Sequence, residues 1–230
     1  SPRPELAHAL IDAWPPATPD MHLIDFDQGQ VRLLLVYADI AQAMPELVVR
    51  ADAIYLDGFS PARNPAMWDA RVLRSLNRLA APQATVATWS VARSVLEGLT
   101  SAGFEVGKQP GFAGKREMTV GRFAPRHRAP MPPGRRPGTA RHVAVVGAGL
   151  AGAGIAQALA RTGVHTAVFE RRPLAADEGS GNAGGLYHGV VHDDDGPHAR
   201  WLRAAALRAQ RVYAPLIDSG IVPGARAGLL

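Results

Sequence analysis

Apolar residues fall along this chain in short runs whose period changes from segment to segment. The runs "VRLLLVYAD" (31–39) and "DAIYLDG" (52–58) are continuous, rich in β-branched and aromatic residues, and each ends in an acid. They predict buried strands. Between 67 and 80, "MWDARVLRSLNRLA" spaces Met67, Val72, Leu73, Leu76 and Leu79 on one helical face, which predicts an amphipathic helix. The run "ATVATW" (84–89) predicts another buried strand. "SVARSVLEGLTSAG" (90–103) predicts a helix with Ser90 as N-cap and Gly103 as its stop. "FEVGKQPGF" and "REMTVGRF" predict two closing strands joined by "AGK". Strands alternating with helices imply an α/β fold, with a mainly parallel sheet and an antiparallel pair at its end.

The pattern then breaks. "APRHRAPMPPGRRPGTAR" (124–141) holds five prolines with Gly and Arg and has no apolar period, so it reads as a semi-extended tether. Periodicity resumes in "HVAVVGAGLAGAGIAQALARTGVHTAVFERR" (142–172), which reads as strand, glycine turn, helix and strand over the length of a βαβ unit. The predicted domains are 1–123, a linker at 124–141, and 142–230.

Composition narrows the function. The 230 residues are 47% apolar and include no cysteine, which excludes disulfides, thiolate metal sites and cysteine nucleophiles. Apolar stretches are interrupted before the roughly 20 residues a membrane span needs. The N-terminal "SPRPELAHAL" lacks the build of a signal peptide. A cytoplasmic protein with no membrane partner and no metal is expected. The net charge of +5 is uneven: no acid lies between Glu117 and Glu170, while Arg122, Arg126, Arg128, Arg135, Arg136, Arg141 and Arg161 do. Such a segment attracts polyanions by field alone, and it equally suits a solvated arginine-rich linker.

Gly147, Gly149 and Gly152 form G-x-G-x-x-G directly after the strand "VAVV" and before a helix. In that context the motif points to a dinucleotide. The first glycine permits the tight turn, the second lets a pyrophosphate approach, and the third lets helix and strand pack closely. The helix N-terminus offers unpaired N–H groups to phosphate. Glu170, 18 positions after Gly152, ends the second strand where an acid accepts hydrogen bonds from ribose hydroxyls and disfavours a 2′-phosphate. FAD and NAD both remain open on these residues. The following "ERRPLAADEGSGNAGGLYHGVV" resembles the FAD-binding start of amine-oxidising flavoproteins of the glycine-oxidase type. That resemblance implies FAD, oxidation of a C–N bond, and a flavin-side segment formed by Arg171, Ser180, Gly181 and Asn182.

Asp39 and Asp57 both end predicted strands. At the carboxyl edge of a parallel sheet they would face one crevice, as the adenine-binding and methyl-side acids of a class I methyltransferase do. Two helix-capping or turn-forming aspartates fit the spacing as well. Here a second resemblance enters. "DAIYLDGFSPARNPAMW" followed by "GFAGKREM" (111–118) is similar to the methyltransferase half of the bifunctional tRNA 5-methylaminomethyl-2-thiouridine biosynthesis (MnmC) family. That family joins its methyltransferase through a linker to an FAD-dependent oxidoreductase, in the order found here.

The resemblance implies a partial class I (Rossmann-like) methyltransferase domain followed by the first βαβ unit of a Rossmann-type FAD-binding domain. It implies two cofactors, S-adenosyl-L-methionine and FAD, and one macromolecular partner, tRNA modified at its anticodon wobble uridine. The flavin half removes the carboxymethyl group from 5-carboxymethylaminomethyl-(2-thio)uridine, and the methyltransferase half methylates the aminomethyl group that is left. Asp57 is the expected catalytic carboxylate and Asp39 a residue of the S-adenosyl-L-methionine site. Phe59 and Pro61 shape the pocket, Asn64 donates or accepts at its edge, and Lys115 and Arg116 either meet RNA phosphate or lie on a solvated hairpin tip. No glycine-rich loop precedes Asp39; the single Gly29 lies in a hairpin-like "DFDQGQ". The chain therefore reads as an internal fragment that holds neither cofactor tightly. Two rival readings stay open: a plain FAD-dependent amine or amino-acid oxidase with an unrelated first domain, and a non-catalytic RNA-binding module.

Overall fold

The computed structural model describes residues 3–112, 114–127 and 140–225. Its elements in chain order are α1 (Pro4–Asp12), β1 (Asp20–Phe26), β2 (Val31–Tyr37), α2 (Ile40–Glu46), β3 (Ala51–Leu56), α3 (Ala70–Leu79), β4 (Ala80–Thr88) and α4 (Arg93–Ser101). They continue with β5 (Phe104–Pro110), β6 (Glu117–Phe123), β7 (His142–Val146), α5 (Leu150–Ala160), β8 (His165–Phe169) and α6 (Pro197–Asp218). The chain divides into two compact units, one over 38–137 and one that combines 1–37 with 138–230. The linker expected at 124–141 lies largely outside the described residues.

In the 38–137 unit a four-stranded sheet runs in the order β3-β4-β6-β5. β3 and β4 are parallel, whereas β6 is antiparallel to both of its neighbours. The closing pair is antiparallel as expected, but its second strand inserts beside β4. The sheet is therefore less parallel than alternation alone suggests. Leu73, Leu76 and Leu79 of α3, Val95 and Leu99 of α4, and Val86, Phe104 and Phe123 of the sheet form one buried core. Arg78 fastens α2 to α3: its guanidinium donates to the carbonyls of Met44 and Leu47, both at 2.5 Å. Those carbonyls end α2, where no intrahelical donor remains.

Two predicted helices start later than their apolar patterns. The one read over 67–80 is split into a 3-10 turn at Pro65–Trp68 and α3. Asp69 separates them, being extended and accepting from the Arg71 N–H at 2.7 Å as the N-cap. The one read over 90–103 begins at Arg93 with Ala92, not Ser90, as N-cap. Ser90 is held in a turn instead. Its N–H donates to Thr88 Oγ1 at 3.2 Å, and its carbonyl accepts from the buried Thr119 hydroxyl at 2.7 Å.

In the other unit, β1 and β2 form an antiparallel ribbon paired from Asp20↔Tyr37 to Phe26↔Val31, closed at Asp27–Gly29. β7 and β8 are parallel and joined by α5, the βαβ unit the sequence predicts. The 22-residue α6, not read from the sequence, lies against the ribbon. Arg211 donates to the Leu23 carbonyl at 2.7 Å, and Arg208 meets Asp25 at 3.3 Å. No described helix is long and apolar enough to cross a membrane.

Candidate functional site

The parallel register pairs Leu56 with Thr88, so the carboxyl ends of β3 and β4 lie side by side. Asp57 leaves one tip and Trp89 the other. Both line a cleft of 470 Å³, with Ser60, Pro61, Thr88, Ser90, Phe112 and Lys115. Asp57 and Gly58 also border a second, mainly apolar hollow of 510 Å³ walled by Ile40, Met44, Tyr55 and Met67. The acid borders both hollows, of which the smaller is the more polar.

The loop that carries Asp57 is tied down from both ends. The Trp68 indole N–H donates to the Phe59 carbonyl at 2.6 Å. The Ser60 carbonyl accepts from the N–H groups of Arg63 and Asn64 at 2.8 and 3.0 Å. Proline at 61 and 65 removes two backbone donors and restricts the residues before them, so the chain turns here rather than continuing into helix. Across the cleft, the β5–β6 connection closes with the Lys115 N–H on the Phe112 carbonyl and the Gly111 N–H on the Arg116 carbonyl, both at 3.2 Å.

The other expected residues of this half are placed as follows. Asp39 is exposed and N-caps α2, its Oδ1 accepting from the Ala41 N–H at 2.8 Å. It lines neither cleft, although its neighbour Ile40 does. The Phe59 ring is exposed and Asn64 N-caps the 3-10 turn. Lys115 lines the Asp57 cleft and Arg116 does not. Thr88, Trp89, Ser90 and Phe112 line the cleft without belonging to a recognisable motif. Their signal is positional, an aromatic directly after a strand and another at the head of "GFAGK".

In the other unit, Gly147 has φ +99°, a region open to glycine and costly for other residues. It turns the chain from β7 toward α5, and its N–H donates to the Phe169 carbonyl at 2.7 Å. A Cβ on Gly152 would sit 1.9 Å from the Gly147 carbonyl oxygen, so only a hydrogen lets the first turn of α5 lie on the loop. Gly149 N-caps α5. The Leu150 N–H above it donates to Ser180 Oγ at 3.1 Å.

Glu170 reaches back across this loop. Oε2 accepts from the Ala148 N–H at 2.7 Å and Oε1 from the Arg172 N–H at 2.9 Å. The bond from Ala148 first, then that from Arg172, holds its carboxyl below the ordinary value, against a smaller opposing effect of desolvation. Arg171 and Arg172 both pair with Glu178. Gly181 closes a turn by donating to the Glu178 carbonyl at 2.8 Å, and Asn182 follows it, exposed. The second glycine-rich segment is thus seated on the first: Ala176 N–H donates to the Ala148 carbonyl at 3.1 Å. The space above Gly147 is open, and only the rotatable Ser180 side chain stands beside Gly149. The open space at Gly147 leaves room for a diphosphate, while the Ala148 and Leu150 N–H groups are engaged by Glu170 and Ser180.

Two family models match the chain. The S-adenosyl-L-methionine-dependent methyltransferase model covers residues 2–124, and the FAD dependent oxidoreductase model covers residues 142–230. The chain is 52% identical over its whole length to the tRNA 5-methylaminomethyl-2-thiouridine biosynthesis bifunctional protein MnmC of Methylibium petroleiphilum, covering 36% of that protein. It is 44% identical over 94% of its length to the protein of the same name from Burkholderia vietnamiensis, covering 33% of it. The chain thus spans about a third of the length of these relatives. Among solved structures, MNMC2 from Aquifex aeolicus is similar at 25% identity and a TM-score of 0.44, over 57% of this chain and 39% of that one.

Proposed function

Since the chain belongs to the S-adenosyl-L-methionine-dependent methyltransferase family, with residues 142–230 matching the FAD dependent oxidoreductases, we propose that it serves tRNA wobble-uridine modification in the cytoplasm. The domain division is 1–123 for methyl transfer, 124–141 as linker, and 142–230 for the flavin half. The substrate is 5-carboxymethylaminomethyl-(2-thio)uridine, taken through the aminomethyl to the methylaminomethyl form. Asp57 lining a cleft beside two parallel strand ends is the observation that supports this reading most.

S-adenosyl-L-methionine, when bound, would supply an electrophilic methyl, and FAD would serve as two-electron acceptor for the C–N bond, with water completing its cleavage. The residues of this chain do the rest. An alkylamine near neutral pH is mostly protonated and has no lone pair to offer. Asp57 accepts an N–H of the aminomethyl group, draws off its proton, and holds the nitrogen in line with the methyl. On methylation the carboxylate of Asp57 would take up the proton that the amine loses. Asp39 is assigned to the S-adenosyl-L-methionine site through its place at the start of α2, next to Ile40 of the apolar hollow. In the rear half, Gly147, Gly149 and Gly152 bring backbone to the diphosphate, Glu170 accepts ribose hydroxyls, and Arg171, Ser180, Gly181 and Asn182 form the flavin-side wall.

The test is mass spectrometry of the wobble nucleoside from cells whose only copy of the gene carries Asp57→Asn. The expected result is accumulation of 5-aminomethyl-(2-thio)uridine. A normal level of the methylaminomethyl form would overturn the assignment of Asp57.

A further inference from the structure

We propose that Trp89 and Phe112 form a platform on which the target uracil stacks after leaving the anticodon loop, with Lys115 beside it for a flanking phosphate. The inference rests on the reading of Asp57 given above and extends it from the amine to the base that carries the amine. Phe112 is 75% exposed and Trp89 38% exposed, although both line the cleft that holds Asp57. Two exposed rings that line one cleft with a carboxylate present π-faces beside a charged group. A base offers a planar, polarizable face of that kind, and stacking on aromatic rings is how proteins commonly hold unpaired bases.

The backbone beside each ring is hydrogen-bonded. Trp89 follows β4 directly, in a turn fixed by the Thr88 and Thr119 hydroxyls. Phe112 opens a turn whose own carbonyl accepts the Lys115 N–H. That turn therefore places an aromatic ring and a cation three residues apart on the same cleft wall, the pairing that suits a nucleotide and not an apolar protein side chain. A uridine whose 5-substituent must reach Asp57 has to be extruded from its stack. Rings at the cleft wall recover the stacking it loses.

The experiment measures binding of the 230-residue chain to two anticodon stem-loop RNAs by fluorescence anisotropy. One carries 5-aminomethyluridine at the wobble position and the other an abasic site there. The wild-type chain is expected to prefer the base-bearing RNA. Phe112→Ala and Trp89→Ala are each expected to shrink that preference by about tenfold to a hundredfold, Phe112→Tyr to restore it, and the abasic RNA to bind all variants alike. An equal preference in wild type and both alanine variants overturns the platform, as does a wild-type chain that ignores the base. If the preference tracks Phe112 while Asp57→Asn leaves the wobble nucleoside normal, the platform stands and the reaction assigned to Asp57 falls.

Discussion

Gly152→Ala is the sharpest test of the dinucleotide loop because the structure states the size of the clash. The added Cβ would lie 1.9 Å from the Gly147 carbonyl oxygen and 3.0 Å from its carbon, where real Cβ contacts stop at 3.0 Å. The shortfall is therefore 1.1 Å, the difference between 3.0 and 1.9. The obstacle is backbone and cannot rotate aside. The first turn of α5 has to back away from the loop, which also loosens its contact with Val145, buried at 7% exposure. Overpacking of this kind costs roughly 3 kcal/mol, the upper part of its usual range. About 1.4 kcal/mol corresponds to a factor of ten, so amides of β7 and β8 should exchange with solvent about a hundredfold faster when local opening controls exchange. Gly154→Ala supplies the control, since its Cβ would meet nothing within 4 Å on the same helix. That variant should gain roughly 0.5–1 kcal/mol from helix propensity and slow exchange. Unchanged protection in Gly152→Ala, or equal damage from both variants, would refute the close-packing account of this motif.

Two further outcomes follow from named hydrogen bonds. Thr119→Val keeps the shape of a fully buried side chain and removes the donor to the Ser90 carbonyl, which should cost about 1–2 kcal/mol. Urea unfolding followed by Trp68 and Trp89 emission, with Trp14 and Trp201 replaced by Phe, reads that unit, and an unmoved midpoint would count against the bond. Glu170 has a carboxyl held below its ordinary value by the Ala148 and Arg172 N–H groups. What it contributes to the loop is therefore complete above the ordinary carboxylate range and is lost as pH falls through the lowered folded-state value. The Ala148 amide should lose exchange protection on that acidification, and Glu170→Gln should flatten the dependence; the same acid transition in the variant would exclude Glu170 as its source.

The parts of the fold legible in the sequence are those with a local cause. The β-branched runs of β2, β3 and β7 and the leucine stripe of α3 advertise themselves through period and side-chain shape. The turn at Gly147 is readable because a positive φ and a close helix crossing each demand glycine at fixed offsets. Asp57 is visible in the sequence as the end of an apolar run followed by Pro61 and Pro65, whereas the cleft it lines is not. At Asp39 the sequence leaves a strand-end acid and a helix cap equally open, and the structure shows the cap, accepting from Ala41. The exposed rings at Trp89 and Phe112 were equally silent, since each stands alone until the two strand ends and the β5–β6 turn are brought to one cleft.

Periodicity, turn chemistry and the order of motifs were determined by the chain alone, because they rest on interactions within a few residues. The tertiary structure decided which strands became neighbours and where helices began. Thr119 on β6 takes the carbonyl of Ser90 and delays α4 to Arg93, and Arg78 finds the orphan carbonyls of α2. Each choice satisfies a polar backbone group with a partner 29 or more residues away, and a partner at that distance leaves no trace in the local pattern.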